Sequence, residues 1–211
     1  YTRKDNNEGA IADFNAALKI NSREISAWTN RGIVYRKKGD VNQAIADFTT
    51  AIKILPDKIQ PVSLTQVPDS ITSQLAQSPQ QEANRIALQA AFVYFQRGLA
   101  WYDKNDYDRA ISDFSESIRL NPQDASPWVG RGAAYMYKND LKQAIADFSE
   151  GIKLKPGQAF AHMQRGIAYH RIGDADNALT DYSIAHELTP KDPNPLVNRG
   201  IVYYTKKGKF E

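Results

Sequence analysis

Residues 27–56 read A-W-T-N-R-G-I-V-Y-R-K-K-G-D-V-N-Q-A-I-A-D-F-T-T-A-I-K-I-L-P, and the same skeleton returns along the chain. Its glycine, Gly32, has counterparts at Gly98, Gly132, Gly166 and Gly200, the last four spaced 34 residues apart. Arginine precedes each of them (Arg31, Arg97, Arg131, Arg165, Arg199), and an aromatic follows three residues later (Tyr35, Trp101, Tyr135, Tyr169, Tyr203). A small residue recurs at Ala10, Ala44, Ala110, Ala144 and Ala178, with Phe14, Phe48, Phe114, Phe148 or Tyr182 four residues on. Pro56, Pro122, Pro156 and Pro190 close the frame. A fixed period of this size means stacked copies of one small unit, so function is to be sought on a repeated surface before any single cleft.

The unit is a helical hairpin on physical grounds. From Ser26 to Lys38 the apolar positions Trp28, Ile33, Val34 and Tyr35 keep helical spacing, and Gly39-Asp40 breaks the run. A second amphipathic helix runs from Val41 to about Ile54. Gly32 and Ala44 lack bulk where the two helices approach, and Tyr35 and Phe48 fill the space beside them. Pro56 cannot continue the helix and turns the chain into the next unit. One hairpin cannot bury its apolar face alone, so neighbours must stack.

The order of aromatic, glycine, tyrosine, alanine, phenylalanine and proline is similar to the tetratricopeptide repeat, and it spans nearly the whole chain. The resemblance implies an all-α fold, a right-handed superhelical solenoid of antiparallel helix pairs, in which the first helix of each pair lines a concave groove. Projected onto this chain, the groove comprises Thr29, Ile33 and Arg36; Phe92, Phe95, Leu99 and Tyr102; Val129, Ala133, Met136 and Tyr137; Phe160, Met163, Ile167 and His170; then Val197 and Ile201. Methionine and aromatic side chains suit an adaptable surface for an extended or helical peptide. Packing between repeats is the competing use of the same positions.

One interval breaks the period. Ala44 and Ala110 stand 66 residues apart, one unit plus 32, and the surplus lies between about Asp57 and Leu88. The expected organisation is therefore a partial first repeat plus a second over 1–56, a Gln/Ser/Pro-rich inserted loop over 57–81, and three repeats plus a partial sixth over 82–211. It reads as one continuous solenoid within a longer protein, since Tyr1 takes the tyrosine slot of an otherwise missing helix and Glu211 falls inside a sixth unit. Within the insertion, Asp69 could cap a short helix through Leu75. Ser78, Pro79 and Gln81 form an N-cap, first-turn proline and capping partner, so the first helix of the third repeat extends beyond its neighbours. The insertion is either a tolerated surface loop or a partner-docking lid whose contacts are Val62, Leu64, Val67, Ile71 and Leu75.

Each arginine is matched by an aspartate 16 residues later: Arg31 by Asp47, Arg97 by Asp113, Arg131 by Asp147 and Arg165 by Asp181, with Asp13 in the partial first repeat. This spacing predicts structural ion pairs rather than an acidic-ligand site, because partly buried arginine needs a carboxylate partner. Some tetratricopeptide domains clamp a chaperone peptide's terminal carboxylate with Lys, Asn and Arg from successive first helices. Here Asn30, Gln96, Gly130, Gln164 and Asn198 precede the arginines, and no such basic set is assembled.

With 27 basic and 24 acidic residues the net charge of +3 does not point to nucleic acid, and the longest apolar stretch, Ile86 to Phe95, is too short to span a bilayer. Zero cysteines exclude disulfide and thiol chemistry and leave the compartment open. His162, His170 and His186 lack metal-ligand spacing, and no nucleophile elbow or phosphate loop is present, so no catalytic residue, metal or cofactor is expected. The expected function is a protein–protein interaction scaffold that binds a peptide or partner surface in the groove and assists complex assembly. The alternatives are a regulatory or substrate-recruiting region of a longer enzyme, and a self-associating module whose half-repeats, about Glu8 to Ile20 and Pro195 to about Lys206, stack head to tail.

Overall fold

The computed structural model describes residues 3–62 and 78–207. The insertion positions Leu64, Val67, Ile71 and Leu75, and the helix expected after Asp69, lie outside the described residues. Among those residues the elements are all helices: α1 (Arg3–Ile20), α2 (Ile25–Lys38), α3 (Val41–Ile54), α4 (Pro79–Asp103), α5 (Tyr107–Leu120), α6 (Ala125–Tyr137), α7 (Leu141–Leu154), α8 (Ala159–Arg171), α9 (Ala175–Leu188) and α10 (Asn194–Lys207). They fall into two compact units, Tyr1–Pro122 with α1 to α5 and Gln123–Glu211 with α6 to α10.

Every hairpin turns in the same way. The residue after the first helix or its cap takes a left-handed conformation at Gly39 (φ 88°), Asn105 (61°), Asn139 (61°) and Gly173 (87°), the residue types that tolerate it. The next N–H, that of Asp40, Asp106, Asp140 or Asp174, then donates back to the carbonyl of Tyr35, Trp101, Tyr135 or Tyr169 at 2.9–3.0 Å, closing the helix end. Three of those aspartates also start the second helix. Asp106, Asp140 and Asp174 accept from the N–H of Arg109, Gln143 and Asn177, so one residue ends one helix and begins the next. Helix α1 departs from expectation here: it begins at Arg3, not near Glu8. The position equivalent to Gly39 is Asp5, so the glycine or asparagine that stops the other helices is missing.

In the first unit, Phe48 and Ala44 are fully buried with Ile45, Ala51, Val93 and Ala100, and Trp28, Ile33, Tyr35 and Trp101 pack against them. The capping box is formed as the sequence indicates: Ser78 Oγ accepts from the Gln81 N–H and the Gln81 side chain accepts from the Ser78 N–H. From there α4 runs 25 residues, against 14 for α5. Its added turns bury Ala87 and Ala90, next to Ala91, the position at which the other first helices begin. The start of the insertion lies along this extension: Ile59 packs with Leu55, Ala90, Ala91 and Leu120, the Val62 N–H donates to the Leu120 carbonyl at 2.9 Å, and Arg119 donates to the Ile59 carbonyl. In the second unit, Tyr182 takes the phenylalanine position and packs with Ala178 and Val202, covered by Met163, Ile167 and Tyr169.

Candidate functional site

The glycines set how close the paired helices come. A Cβ on Gly32, Gly98, Gly132 or Gly166 would lie 2.7–2.9 Å from the ring of Phe48, Phe114, Phe148 or Tyr182, so the aromatic seats directly on the glycine backbone. Gly200 has no such neighbour within 4 Å.

Beside each glycine the arginine forms a fork on the aspartate of its own hairpin. Arg31 meets Asp47, Arg97 meets Asp113, Arg131 meets Asp147 and Arg165 meets Asp181, each through Nε and Nη2 at 2.7–2.9 Å. The arginine's Nη1 then reaches back to the preceding hairpin: Arg31 to Asn15, Arg97 to Thr49, Arg165 to Ser149 and Arg199 to Ser183. These hydroxyl and amide partners sit two residues after Asp13, Asp47, Asp147 and Asp181, a periodic signal the glycine frame conceals. Trp28, Tyr94 and Trp128 lie under Arg31, Arg97 and Arg131 at 4.5–5.6 Å. The fourth hairpin substitutes His162, whose Nδ1 is 2.9 Å from Asp181 Oδ1 and whose Nε2 is 3.1 Å from the Pro156 carbonyl.

The ion pairs are largely withdrawn from water, and their energetics follow. Burial pushes the Asp113 and Asp147 carboxyls up, opposed by the hydrogen bonds and charges of Arg97 and Arg131. Arg31 and Arg165 are pushed up, chiefly by the hydrogen bonds of Asp47 and Asp181. These guanidiniums are already committed to carboxylates inside the fold, so a ligand carboxylate would have to displace one of them.

The first helices also carry apolar residues that the packing does not cover. In the first unit α2 and α4 lie side by side, and in the second α6, α8 and α10 do. Of the positions projected as groove, Thr29, Val129, Ala133 and Met136 are buried. Ile33, Phe95, Leu99, Tyr102, Met163, Ile167 and His170 are half-buried. Phe95 packs tilted against Phe114 at 5.9 Å and Tyr102 meets Tyr107 edge-on at 5.6 Å. Arg36 is tied to Asp103 at 2.6 Å, linking α2 to α4. Phe92, Tyr137, Phe160, Val197 and Ile201 are exposed, at 47%, 65%, 53%, 58% and 45%. Leu88, one helical turn before Phe92 and 46% exposed, extends the apolar face along the added turns of α4. Its spacing from Phe92 is the sequence signal for it. In the second unit Arg171 donates to the Met136 carbonyl at 3.2 Å and to Asn139 Oδ1 at 2.7 Å, fixing α8 against the end of α6. Among the described residues no group of three or more His, Cys, Asp or Glu could hold a metal ion, and no helix is long and apolar enough to cross a membrane.

Family models match three stretches: "Tetratricopeptide repeat" over residues 25–58 and 91–124, and "TPR repeat" over 132–173. Among solved structures, MamA is 21% identical over 89% of this chain and 91% of its own, with a TM-score of 0.68. YrrB, a TPR protein with an unusual peptide-binding site, is 17% identical over 92% of this chain and 84% of its own, TM-score 0.66. The first TPR of Spaghetti (RPAP3), bound to the HSP90 peptide SRMEEVD, is 21% identical over 57% of this chain and 95% of its own, TM-score 0.56. No curated protein sequence matches the chain. At these identities the likeness is one of fold.

Proposed function

Because the chain belongs to the tetratricopeptide repeat family, we propose that it is a protein-interaction scaffold that binds a peptide or partner surface on the outer face of its first helices and assists assembly of a complex. The observation that carries this reading is the contrast in one repeated frame: glycine, arginine and aspartate are consumed in packing, while Phe92, Tyr137 and Phe160 stay exposed on the first helices. Large apolar side chains held in the open on rigid helices are what a hydrophobic peptide needs. The peptide-bound RPAP3 domain and the peptide-binding YrrB support a peptide as ligand. The occupied arginines favour apolar side-chain recognition over capture of a terminal carboxylate.

Selection of binding peptides from a displayed library against the intact chain tests this. Recovered peptides should share apolar anchors, keep affinity when the C-terminus is amidated, and lose it against either Phe92→Ser in the first unit or Tyr137→Ser and Phe160→Ser in the second. Peptides that bind all three variants equally well would reject the surface.

A further inference from the structure

His162 occupies the position that Trp28, Tyr94 and Trp128 hold in the other hairpins, and it places there a ring that can carry a second proton. Trp28 shows one contact the position makes: its Nε1–H donates to the carbonyl of Ser22, six residues back, at 2.9 Å. His162 repeats that contact, with Nε2 3.1 Å from the carbonyl of Pro156, again six residues back. A carbonyl only accepts, so Nε2 must carry a proton. The other ring nitrogen, Nδ1, stands 2.9 Å from Asp181 Oδ1, on a carboxylate already gripped by the Arg165 fork. A carboxylate in that fork also only accepts, so Nδ1 must donate as well. A neutral imidazole cannot donate from both nitrogens at once; the imidazolium can. His162 is 5% exposed, so little water reaches the ring to take the place of either partner.

We propose that the α8–α9 hairpin carries a pH-sensitive latch: His162 is held there as the imidazolium, bridging Asp181 of α9 to the Pro156 carbonyl before α8, and the latch opens when that proton leaves. The helices packed against α8 are α6, α7, α9 and α10. From α9, Asp181 is the anion that favours the second proton, and Tyr182 beside it stays neutral, its phenol pushed up to about 12 chiefly by burial. Glu187, also on α9, stands where the third hairpin has Arg119, whose charge reaches Tyr94. His186 has a buried Nδ1 with no hydrogen-bond partner among the described residues. Arg165, on the next turn of α8, opposes the extra charge, and its Nη1 is held by the Ser149 hydroxyl from α7. The other α7 charges are engaged elsewhere, Asp147 with Arg131 of α6 and Glu150 with Lys153; Arg199 of α10 donates to Ser183. Above about pH 6.5, where a histidine in the unfolded chain gives up its second proton, the native chain holds one proton more. The latch therefore contributes fully below that pH, and its contribution is lost as the pH rises until the native ring also releases the proton.

The imidazole nitrogen chemical shifts of His162, followed from about pH 5 to about pH 9 in the native chain and in the chain unfolded in urea, test the proposal. Both nitrogens should report attached protons in the native chain to a pH at least about one unit above that at which the unfolded chain gives one up, a tenfold gain in the folding equilibrium. A native ring that loses its proton at the same pH as the unfolded ring, or at a lower one, overturns the latch. Urea unfolding gives a second reading. Between about pH 5.5 and about pH 8.5 the midpoint should fall further for the original chain than for His162→Tyr, which brings in the residue type of Tyr94. Equal pH dependence in the two chains overturns the latch as well. The nitrogen shifts need only the original chain, so they decide the matter even where His162→Tyr fails to fold.

Discussion

Replacing Gly98 by alanine isolates what the glycine frame does. The new Cβ would sit 2.8 Å from two ring atoms of Phe114 and 3.3 Å from the Asp113 Cβ, where carbon atoms normally rest about 3.5–4.0 Å apart. Neither neighbour can yield cheaply. Phe114 is fully buried and packed against Phe95, and Asp113 is held by the Arg97 fork. Overpacking of this kind costs about 1–3 kcal/mol, against about 1 kcal/mol recovered from alanine's better helix propensity. With both neighbours held, the steric cost should lie at the upper end of that range, leaving a net destabilisation of up to about 2 kcal/mol. Gly200→Ala gives the control, since no atom lies within 4 Å and only the propensity gain of up to about 1 kcal/mol remains. Urea unfolding followed by circular dichroism at low micromolar concentration reads both. Phe114→Leu in the Gly98→Ala background should recover part of the loss, as the flat ring is removed. Equal stability of Gly98→Ala and Gly200→Ala would refute the claim that close approach of the ring requires glycine.

Asp147→Ala leaves Arg131 buried without its fork and should destabilise the second unit by about 3–5 kcal/mol in denaturant titrations, whereas Arg131→Met with Asp147→Leu should cost much less, since a buried ion pair is worth little against apolar packing. Tyr182→Phe should stabilise by about 1–3 kcal/mol, because the Tyr182 hydroxyl is buried with no hydrogen-bond partner among the described residues, and chemical unfolding measures it. Burial, helped by the Asp181 charge, pushes the Tyr182 phenol up to about 12, so the native state resists an ionisation that the unfolded chain undergoes near its ordinary value of 10. Stability from this group is full below pH 10 and is lost as pH rises toward 12; Tyr182→Phe should therefore flatten that part of the alkaline unfolding profile. Ser78→Ala removes the capping box and should cost about 1 kcal/mol, seen as faster amide exchange in the first turns of α4 with the remaining helices unchanged.

Helix boundaries were legible wherever a turn residue marks them. Gly39-Asp40 ends one helix at Lys38 and Val41 begins the next, and Ser78, Pro79 and Gln81 announce the start of α4. The start of α1 was not legible, because Asp5 stands at the position where Gly39, Asn105, Asn139 and Gly173 stop the other helices. The arginine–aspartate spacing predicted the ion pairs, but the third contact, to Asn15, Thr49, Ser149 or Ser183, joins successive hairpins and leaves no mark on hydrophobic periodicity. The same ambiguity affects the candidate face. Thr29, Val129, Ala133 and Met136 have the helical spacing of surface positions, yet neighbours cover them; spacing names a side of a helix, not what lies across from it.

The back-reaching arginine has a consequence for how such a chain can lengthen. Arg165 and Ser149 are 16 residues apart, as are Arg31 and Asn15, but Arg97 finds Thr49 across 48 residues and still comes within 3.3 Å. The join between successive hairpins is therefore written in side chains that recognise one another in space, indifferent to the length of polypeptide between them. A lineage of such proteins can splice new sequence into that seam, or copy a hairpin with its own arginine, aspartate and hydroxyl, and each piece arrives already keyed to its neighbour.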